Sequence, residues 1–412
     1  MKSDLDRLMT ERNIDALIIP GTEEPNPYRD YLANSIHAHA TVIKKRDSEA
    51  VLIANGMELD EAAKSGLKVY NMTDFGLAEL MQKYKSDQQA ISRDYWRNIL
   101  TQLGIKGRVA FYGVGDVMGT WKMLKRFERD YADLIEIVED EDTTIFALAR
   151  RGKDADEIAK LRDSGERSSK VMTETREWLA GHKAKNNVIY KADGKPLTIG
   201  DVKHFVRLKL MEYGLEDSGG MIFAQGRDAA LPHSRGEEDQ PLELGKTLVF
   251  DLFPRPIGGG YYHDMTRTWS LGYATPEVEE AHRLVMYAFT QSLESLTVGQ
   301  RTRDLQELVC DIFEERGHPT PKTKPGGSEG YTHSLGHGIG LDVHEAPSIG
   351  NYSPDDHIFE KGDVITIEPG LYYPDKGWGI RIEDSVYIDE SGTAHNLTDC
   401  TYDLVIPIQN QN

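Results

Sequence analysis

Between residues 233 and 384 the sequence concentrates histidines and carboxylates in four short pieces. The first runs from Asp251 to Asp264-Met-Thr-Arg-Thr268. Asp251 ends the apolar run Leu248-Val-Phe250, and an acid there is costly to bury unless it meets a cation or several donors. The Pro- and Gly-rich middle predicts a hairpin tip that brings Asp251 and Asp264 together. Two close carboxylates repel, and a divalent ion removes that cost. An ordinary turn flanked by aspartates is the plainer alternative for this piece alone. The second piece, His333-Ser-Leu-Gly-His337-Gly-Ile-Gly-Leu-Asp-Val-His344-Glu345, packs three of the chain's 13 histidines together. Its glycines at 336, 338 and 340 permit close backbone approach or positive φ, and neutral imidazole suits borderline metals. A glycine-rich loop with satisfied histidines is the alternative.

The third piece is Val364-Ile-Thr-Ile-Glu368-Pro-Gly370, and the fourth is Ile380-Arg381-Ile-Glu383-Asp384. Strand alternation puts Thr366 with Glu368 on one face, and Arg381 with Glu383 on one face. A single strand carboxylate is usually a surface residue, but two beside β-branched residues are harder to dismiss. Taken together, the pieces offer four carboxylates and one imidazole, which favours Mn²⁺ before Zn²⁺, with Co and Fe also compatible. Two such ions polarise a carbonyl and activate water, and the remaining histidines can move protons or bind an oxyanion.

The surrounding elements must position these pieces. Strand-like runs appear at Thr247–Asp251, Asp363–Glu368 and Gly379–Glu383, with helical stretches at about Pro276–Leu296 and Thr302–Arg316 between the first two. That order predicts an α+β domain with helices on an antiparallel sheet. A charged segment around 148–156 suits a domain boundary, and the 155–408 domain it opens begins with a helix over about Asp154–Leu179. Asp154 is its expected N-cap, with Glu157 three residues on as in a capping box. Residues 1–150 read as a smaller α/β domain. Runs at Ile14–Ile19, Ala50–Ala54 and Gly107–Tyr112 predict strands, and Glu58–Ser65 and Tyr95–Leu103 predict helices, giving a parallel or mixed sheet.

Bulk properties narrow the function further. At 412 residues the chain should form two or three domains, and 39% hydrophobic with 28% charged residues is a globular composition. A net charge of −20, from 48 basic and 68 acidic residues, argues against nucleic acid as a partner. Two isolated cysteines, Cys310 and Cys400, make neither a disulfide framework nor a structural zinc site. The polar opening Met1–Arg7 shows no signal peptide, and no apolar run approaches the ~18–20 residues needed to span a bilayer. The cytoplasm is the expected location.

The pieces occur in the order Pro232-His233, Asp251, Asp264-Met-Thr-Arg-Thr268, His333–Glu345, Ile367-Glu368-Pro-Gly370 and Arg381-Ile-Glu383. In that order they resemble the pita-bread metallopeptidases, which include Xaa-Pro dipeptidase (prolidase), aminopeptidase P and methionine aminopeptidase. The N-terminal region resembles the creatinase-type domain that methionine aminopeptidases usually lack, which turns the resemblance towards proline-directed peptidases. The resemblance implies a pita-bread catalytic domain and two divalent ions. It implies that Asp251 chelates one ion, that Asp264 and Glu383 bridge both, and that His337 and Glu368 complete the shell of the second. His233 is implied to contact substrate near the scissile bond, and His344 to bind its carbonyl or the tetrahedral intermediate. His333 and Arg381 match supporting positions, and Glu368 is the implied group for proton transfer from the attacking water. A short proline-containing peptide is the implied substrate and a homodimer the implied assembly.

One departure is visible. Asp251 and Asp264 stand thirteen apart (264 − 251), a pair of residues wider than is usual in the family. An even insertion at a hairpin tip keeps both aspartates on one side. Phe253-Pro254 replaces small residues and bears on pocket shape instead. Two other functions are compatible with such a fold: a metal-free, creatinase-like hydrolase and a non-catalytic binding protein. The first should have lost metal ligands and the second should lack ligands or nearby histidines, whereas all those positions here carry ligating side chains.

Overall fold

The computed structural model describes residues 4–21 and 25–410; Met1–Ser3 of the polar opening, Thr22–Glu24 and Gln411–Asn412 lie outside the described residues. The chain divides into two compact units, Met1–Arg150 with Gly258–Gly260, and Arg151–Ile257 with Tyr261–Asn412. Among the described residues no helix is long and apolar enough to cross a membrane.

The first unit holds a six-stranded mixed sheet in the order 68–71, 51–54, 41–45, 16–19, 107–111, 135–137. Its central strand Ala16–Ile19 pairs antiparallel with Thr41–Lys45 and parallel with Gly107–Phe111. The strand is shorter than the apolar run Ile14–Ile19, because Ile14 N donates to Met9 O in the turn leaving the first helix. Elements such as Thr41–Lys45 and Val117–Asp130 escape a reading by hydrophobic pattern. Thr41–Lys45 ends in two lysines. Helix Val117–Asp130 buries only Phe127.

The second unit opens with helix Ala155–Ala180. Asp154 caps it, accepting from Asp156 N and Glu157 N, while Glu157 accepts from Asp154 N at 3.0 Å. That reciprocal arrangement satisfies donors that a helix start leaves orphaned. The unit is built on a nine-stranded sheet whose main path runs 222–225, 247–252, 265–271, 383–388, 364–367, 336–338, 345–349. Its pairs are antiparallel except where Val405–Ile406 runs parallel to Met265–Leu271.

Two apolar clusters cover this sheet. Val171, Met172, Val202 and Val206 of two helices join Leu248, Phe250, Met265 and Trp269. Val285, Phe289, Val309 and Phe313 of helices Pro276–Ser295 and Thr302–Glu314 join Ile365, Ile367, Val386 and Ile388. Each fully buried side chain of this kind contributes about 1.5–3 kcal/mol. Because alternate residues of these strands are fixed in apolar clusters, their neighbours must face the opposite way. Asp251, Thr266, Thr366 and Glu383 are those neighbours.

Two local expectations need correction. The run Gly379–Glu383 is not one strand. Trp378–Arg381 pairs with Gly370–Tyr373, whereas Glu383–Ile388 joins the large sheet, and the chain changes sheets at Ile382. The segment between Asp251 and Asp264 is also more than a hairpin tip: Arg255–Pro256 pairs with Leu215–Glu216. Pro256 is tolerated there because this two-residue ladder asks little of its missing N–H.

Candidate metal centre

Five neighbouring strands each deliver one acid or histidine to the same face. In spatial order they bring Asp251, Asp264, Glu383, Glu368 and His337, at or next to the ends of 247–252, 265–271, 383–388, 364–367 and 336–338. Register fixes the juxtaposition: Asp251 pairs with Thr266, Thr266 with Glu383, and Ile367 with Asp384. Ligand atoms of Asp264, His337 and Glu383 all lie within 4.8 Å of one another. His337 Nε2 stands 3.8 Å from Asp264 Oδ2 and 3.6 Å from Glu368 Oε1.

The tautomer of His337 follows from its other nitrogen. Nδ1 lies 3.0 Å from the carbonyl oxygen of Gly338, so it carries the proton and donates. Nε2 is left with its lone pair facing the carboxylates. Burial, reinforced by His344, pushes the His337 pKa down to about 4, so the ring is neutral and free to ligate. The flanking glycines serve close approach: a Cβ on Gly336 would lie 2.0 Å from Thr366 O, and one on Gly338 would lie 2.1 Å from Ala346 O. Neither has positive φ.

The carboxylates outnumber the cations beside them. Asp251, Asp264 and Glu383 are buried, and Arg381 is the cation among them. Burial first, then repulsion from Asp251 and Glu368, drives the Asp264 pKa well up. Burial, then Asp264 and Glu368, does the same to Glu383. Burial raises Glu368 to about 7, against the pull of Arg381. Oδ1 of Asp251 and Oδ1 of Asp264 are buried with no hydrogen-bond donor. Orphaned acceptors of that kind are expensive unless a cation takes the donor's place. Three carboxylates, an imidazole and a fourth carboxylate beside it form a donor set that divalent ions satisfy. The residues therefore fit the metal pair that the sequence resemblance implies.

Arg381 and Thr266 orient the ligands. Arg381 Nη2 donates to Asp251 Oδ2, its Nε donates to Thr266 Oγ1 at 3.1 Å, and Nη1 reaches Pro232 O at 3.3 Å. Thr266 in turn donates to Glu383 Oε2 at 2.6 Å. Ser385 Oγ accepts from Asp264 N at 3.2 Å and donates to Asp264 O at 2.9 Å. On the far face Arg267 binds Asp384 Oδ1 at 2.8 Å and the carbonyls of Thr266 and Glu383, each at 3.0 Å.

The other sequence-predicted residues surround this cluster. His333 Nδ1 donates to Ser334 O at 2.7 Å and lies 3.9 Å from Glu368 Oε2. Its Nε2 accepts from Tyr372 Oη at 2.8 Å. Burial, then Arg381, lowers His333 to about 3. His344 is exposed and stacks edge-on against His337 with ring centroids 4.3 Å apart. His233 is also exposed, near enough to Asp251, His333 and His344 to act on their charges, and it shares no hydrogen bond with them. Thr266, Ser385 and Tyr372 are site residues that motif reading passed over. The signal for Thr266 was the two-residue spacing from Asp264, which puts both on one strand face.

The comparisons with known proteins agree with this geometry. A family model described as "Metallopeptidase family M24" matches residues 159–390. The Xaa-Pro dipeptidase of Pyrococcus furiosus is 36% identical over 184 residues, which are 45% of this chain and 48% of that relative. The match thus spans about half the length of such curated relatives. Among solved structures, the X-Pro aminopeptidase of Thermotoga maritima aligns with a TM-score of 0.76 at 24% identity, covering 96% of this chain and 99% of that one. The prolidase of Pyrococcus furiosus aligns with a TM-score of 0.70 at 23% identity, covering 96% and 99%. These likenesses establish the pita-bread fold expected for the C-terminal domain. With the family match spanning the strands that carry Asp251, Asp264, His337, Glu368 and Glu383, the chain belongs to metallopeptidase family M24.

Proposed function

We propose that this protein is a dinuclear metallopeptidase that hydrolyses the peptide bond between an N-terminal residue and proline. The observation that carries the reading is the cluster of ligand atoms from Asp264, His337 and Glu383 within 4.8 Å of one another, beside buried oxygens of Asp251 and Asp264 that have no hydrogen-bond donor. In this reading Asp251 would hold one ion, Asp264 and Glu383 would serve both, and His337 with Glu368 would complete the set around the other. Bound there, two divalent ions supply Lewis-acid polarisation of the scissile carbonyl and a lowered pKa for the attacking water.

The chain's own groups divide the remaining work. Glu368, whose Oε1 lies 3.6 Å from His337 Nε2, can accept the proton of the attacking water and return it to the leaving proline nitrogen. His344, exposed and stacked on His337, hydrogen-bonds the carbonyl oxygen as it gains charge in this reading. His233 contacts substrate beside the scissile bond. His333 stays neutral and is oriented by Tyr372, and Arg381 fixes Asp251. Mn²⁺ is the preferred ion because the donor set is mostly carboxylate oxygen. A cytoplasmic homodimer acting on short proline-containing peptides completes the reading, on the family resemblance.

The test compares Xaa-Pro dipeptides with Xaa-Pro-Yaa tripeptides after chelation and after return of Mn²⁺, Co²⁺ or Zn²⁺. Turnover should vanish with chelator and return best with Mn²⁺. Full turnover in metal-free buffer would refute the reading.

A further inference from the structure

Lys153 stands on the segment entering helix Ala155–Ala180, far in sequence from the metal centre. Its ammonium is 3.0 Å from Glu345 Oε2, and the two side chains are 1% and 7% exposed. Isolated charges are not left in such places, and each depends on the other. Glu345 directly follows His344 and pairs with Gly338 across an irregular ladder. Between them residues 339–344 fold back as a compact turn, in which Gly340 N donates to Asp342 O at 3.1 Å.

The Glu345 carboxylate packs into that turn. Its Oε1 accepts from Asp342 N at 3.1 Å. A Cβ on Gly340 would meet both carboxylate oxygens at 2.6 Å, so a side chain there would displace the acid from its present seat. The turn's other end is tied down by Tyr262 N, which donates to Gly340 O at 2.8 Å. Lys153 is itself anchored, its N donating to Gly362 O at 3.0 Å. An exposed imidazole at the turn's end is thereby stacked on the partly buried ring of His337 next to the carboxylates.

We propose that Lys153 is a positioning residue for His344, holding the 339–345 turn in shape through its buried pair with Glu345. The consequence for turnover rests on the role given to His344 above, but the structural claim does not. An error of about 1 Å in such a group costs roughly a hundredfold in rate, and groups of this kind need support from the residues behind them.

The experiment uses the full chain and the variants Lys153→Met, Lys153→Arg and Lys153→Met/Glu345→Gln. The double variant removes both charges while the new amide oxygen can still accept from Asp342 N, which keeps the test alive if the single variant folds poorly. Hydrogen exchange is measured first on metal-free protein. Lys153→Met should speed exchange across 339–345 by about tenfold or more, while helix Pro276–Ser295 keeps its wild-type protection. Lys153→Arg and the double variant should restore much of that protection.

With Mn²⁺ and an Xaa-Pro substrate, Lys153→Met should lower kcat by about ten- to a hundredfold and change KM by less than about threefold. Adding His344→Ala to Lys153→Met should then cost far less than His344→Ala alone, because a misplaced group has little left to lose. Unchanged exchange in the turn, uniform loss of protection across the unit, or additive kinetic losses would overturn the proposal. Should the wild-type protein cleave no Xaa-Pro peptide, the proposed function fails, and exchange in the turn alone still decides the role of Lys153.

Discussion

Replacing Thr266 by Val tests whether Glu383 is held ready for a cation. The swap keeps the side-chain shape and removes one hydroxyl, at a residue with no solvent exposure. That hydroxyl donates to Glu383 Oε2 at 2.6 Å and accepts from Arg381 Nε at 3.1 Å. A hydrogen bond to an ionised carboxylate contributes about 1.5–3 kcal/mol, and one to a neutral group about 1 kcal/mol. In the metal-free protein burial and the nearby acids push the Glu383 pKa well up, which favours the neutral acid over the anion. With metal bound it must be the anion. The hydroxyl therefore favours the metal-bound state by roughly 0.5–2 kcal/mol, or about two- to thirtyfold in affinity. Mn²⁺ titration by competition with a fluorescent chelator reads that change. Urea denaturation in chelator should show a separate loss of about 1–2 kcal/mol, since Arg381 Nε also loses its acceptor. Metal affinity within twofold of wild type, together with that stability loss, would show that Thr266 supports the fold only and that Glu383 is not oriented for a cation.

Two further predictions concern stability. His282 is 8% exposed on helix Pro276–Ser295, and burial, then Arg267, lowers its pKa to about 4. The unfolded chain binds that proton near pH 6.5, so stability is full above pH 6.5 and falls as pH drops towards 4, by at most ~3 kcal/mol. His282→Leu should flatten this acid limb in urea titrations at pH 7.5 and 5, and an unchanged limb would show that other groups dominate it. Asp384→Asn should cost about 3–5 kcal/mol, because it strands the Arg267 guanidinium at a pair whose side chains are 1% and 0% exposed. Thermal denaturation should show the loss, and a melting temperature within two degrees or so would count against it.

Much of the candidate site was legible because strand alternation is a strong local rule. Leu248, Phe250, Ile365 and Ile367 announce one covered face, and that leaves Asp251, Thr366 and Glu368 with the other. The long helix was equally plain, since Asp154 and Glu157 write their capping box at fixed spacing. What escaped depends on partners distant in the chain. Nothing near Lys153 hints at Glu345, nor does Arg267 name Asp384 as its counter-ion. The change of sheets at Ile382 was hidden because Gly379–Glu383 keeps its alternation through the break. Helix Val117–Asp130 gave little signal because its buried face is a single phenylalanine. Between Asp251 and Asp264 the pairing of Arg255–Pro256 with Leu215–Glu216 likewise joins segments that no local pattern connects.

The central claim is that the buried acids and His337 exist to hold metal. Equilibrium dialysis against Mn²⁺ followed by elemental analysis measures it directly, on the wild-type chain and on Asp264→Ala, Glu383→Ala and His337→Ala. The account predicts two ions bound per wild-type chain, neither retained after loss of a bridging acid, and one weakened by loss of His337. A wild-type chain that binds no Mn²⁺, or variants that bind as it does, would contradict the account.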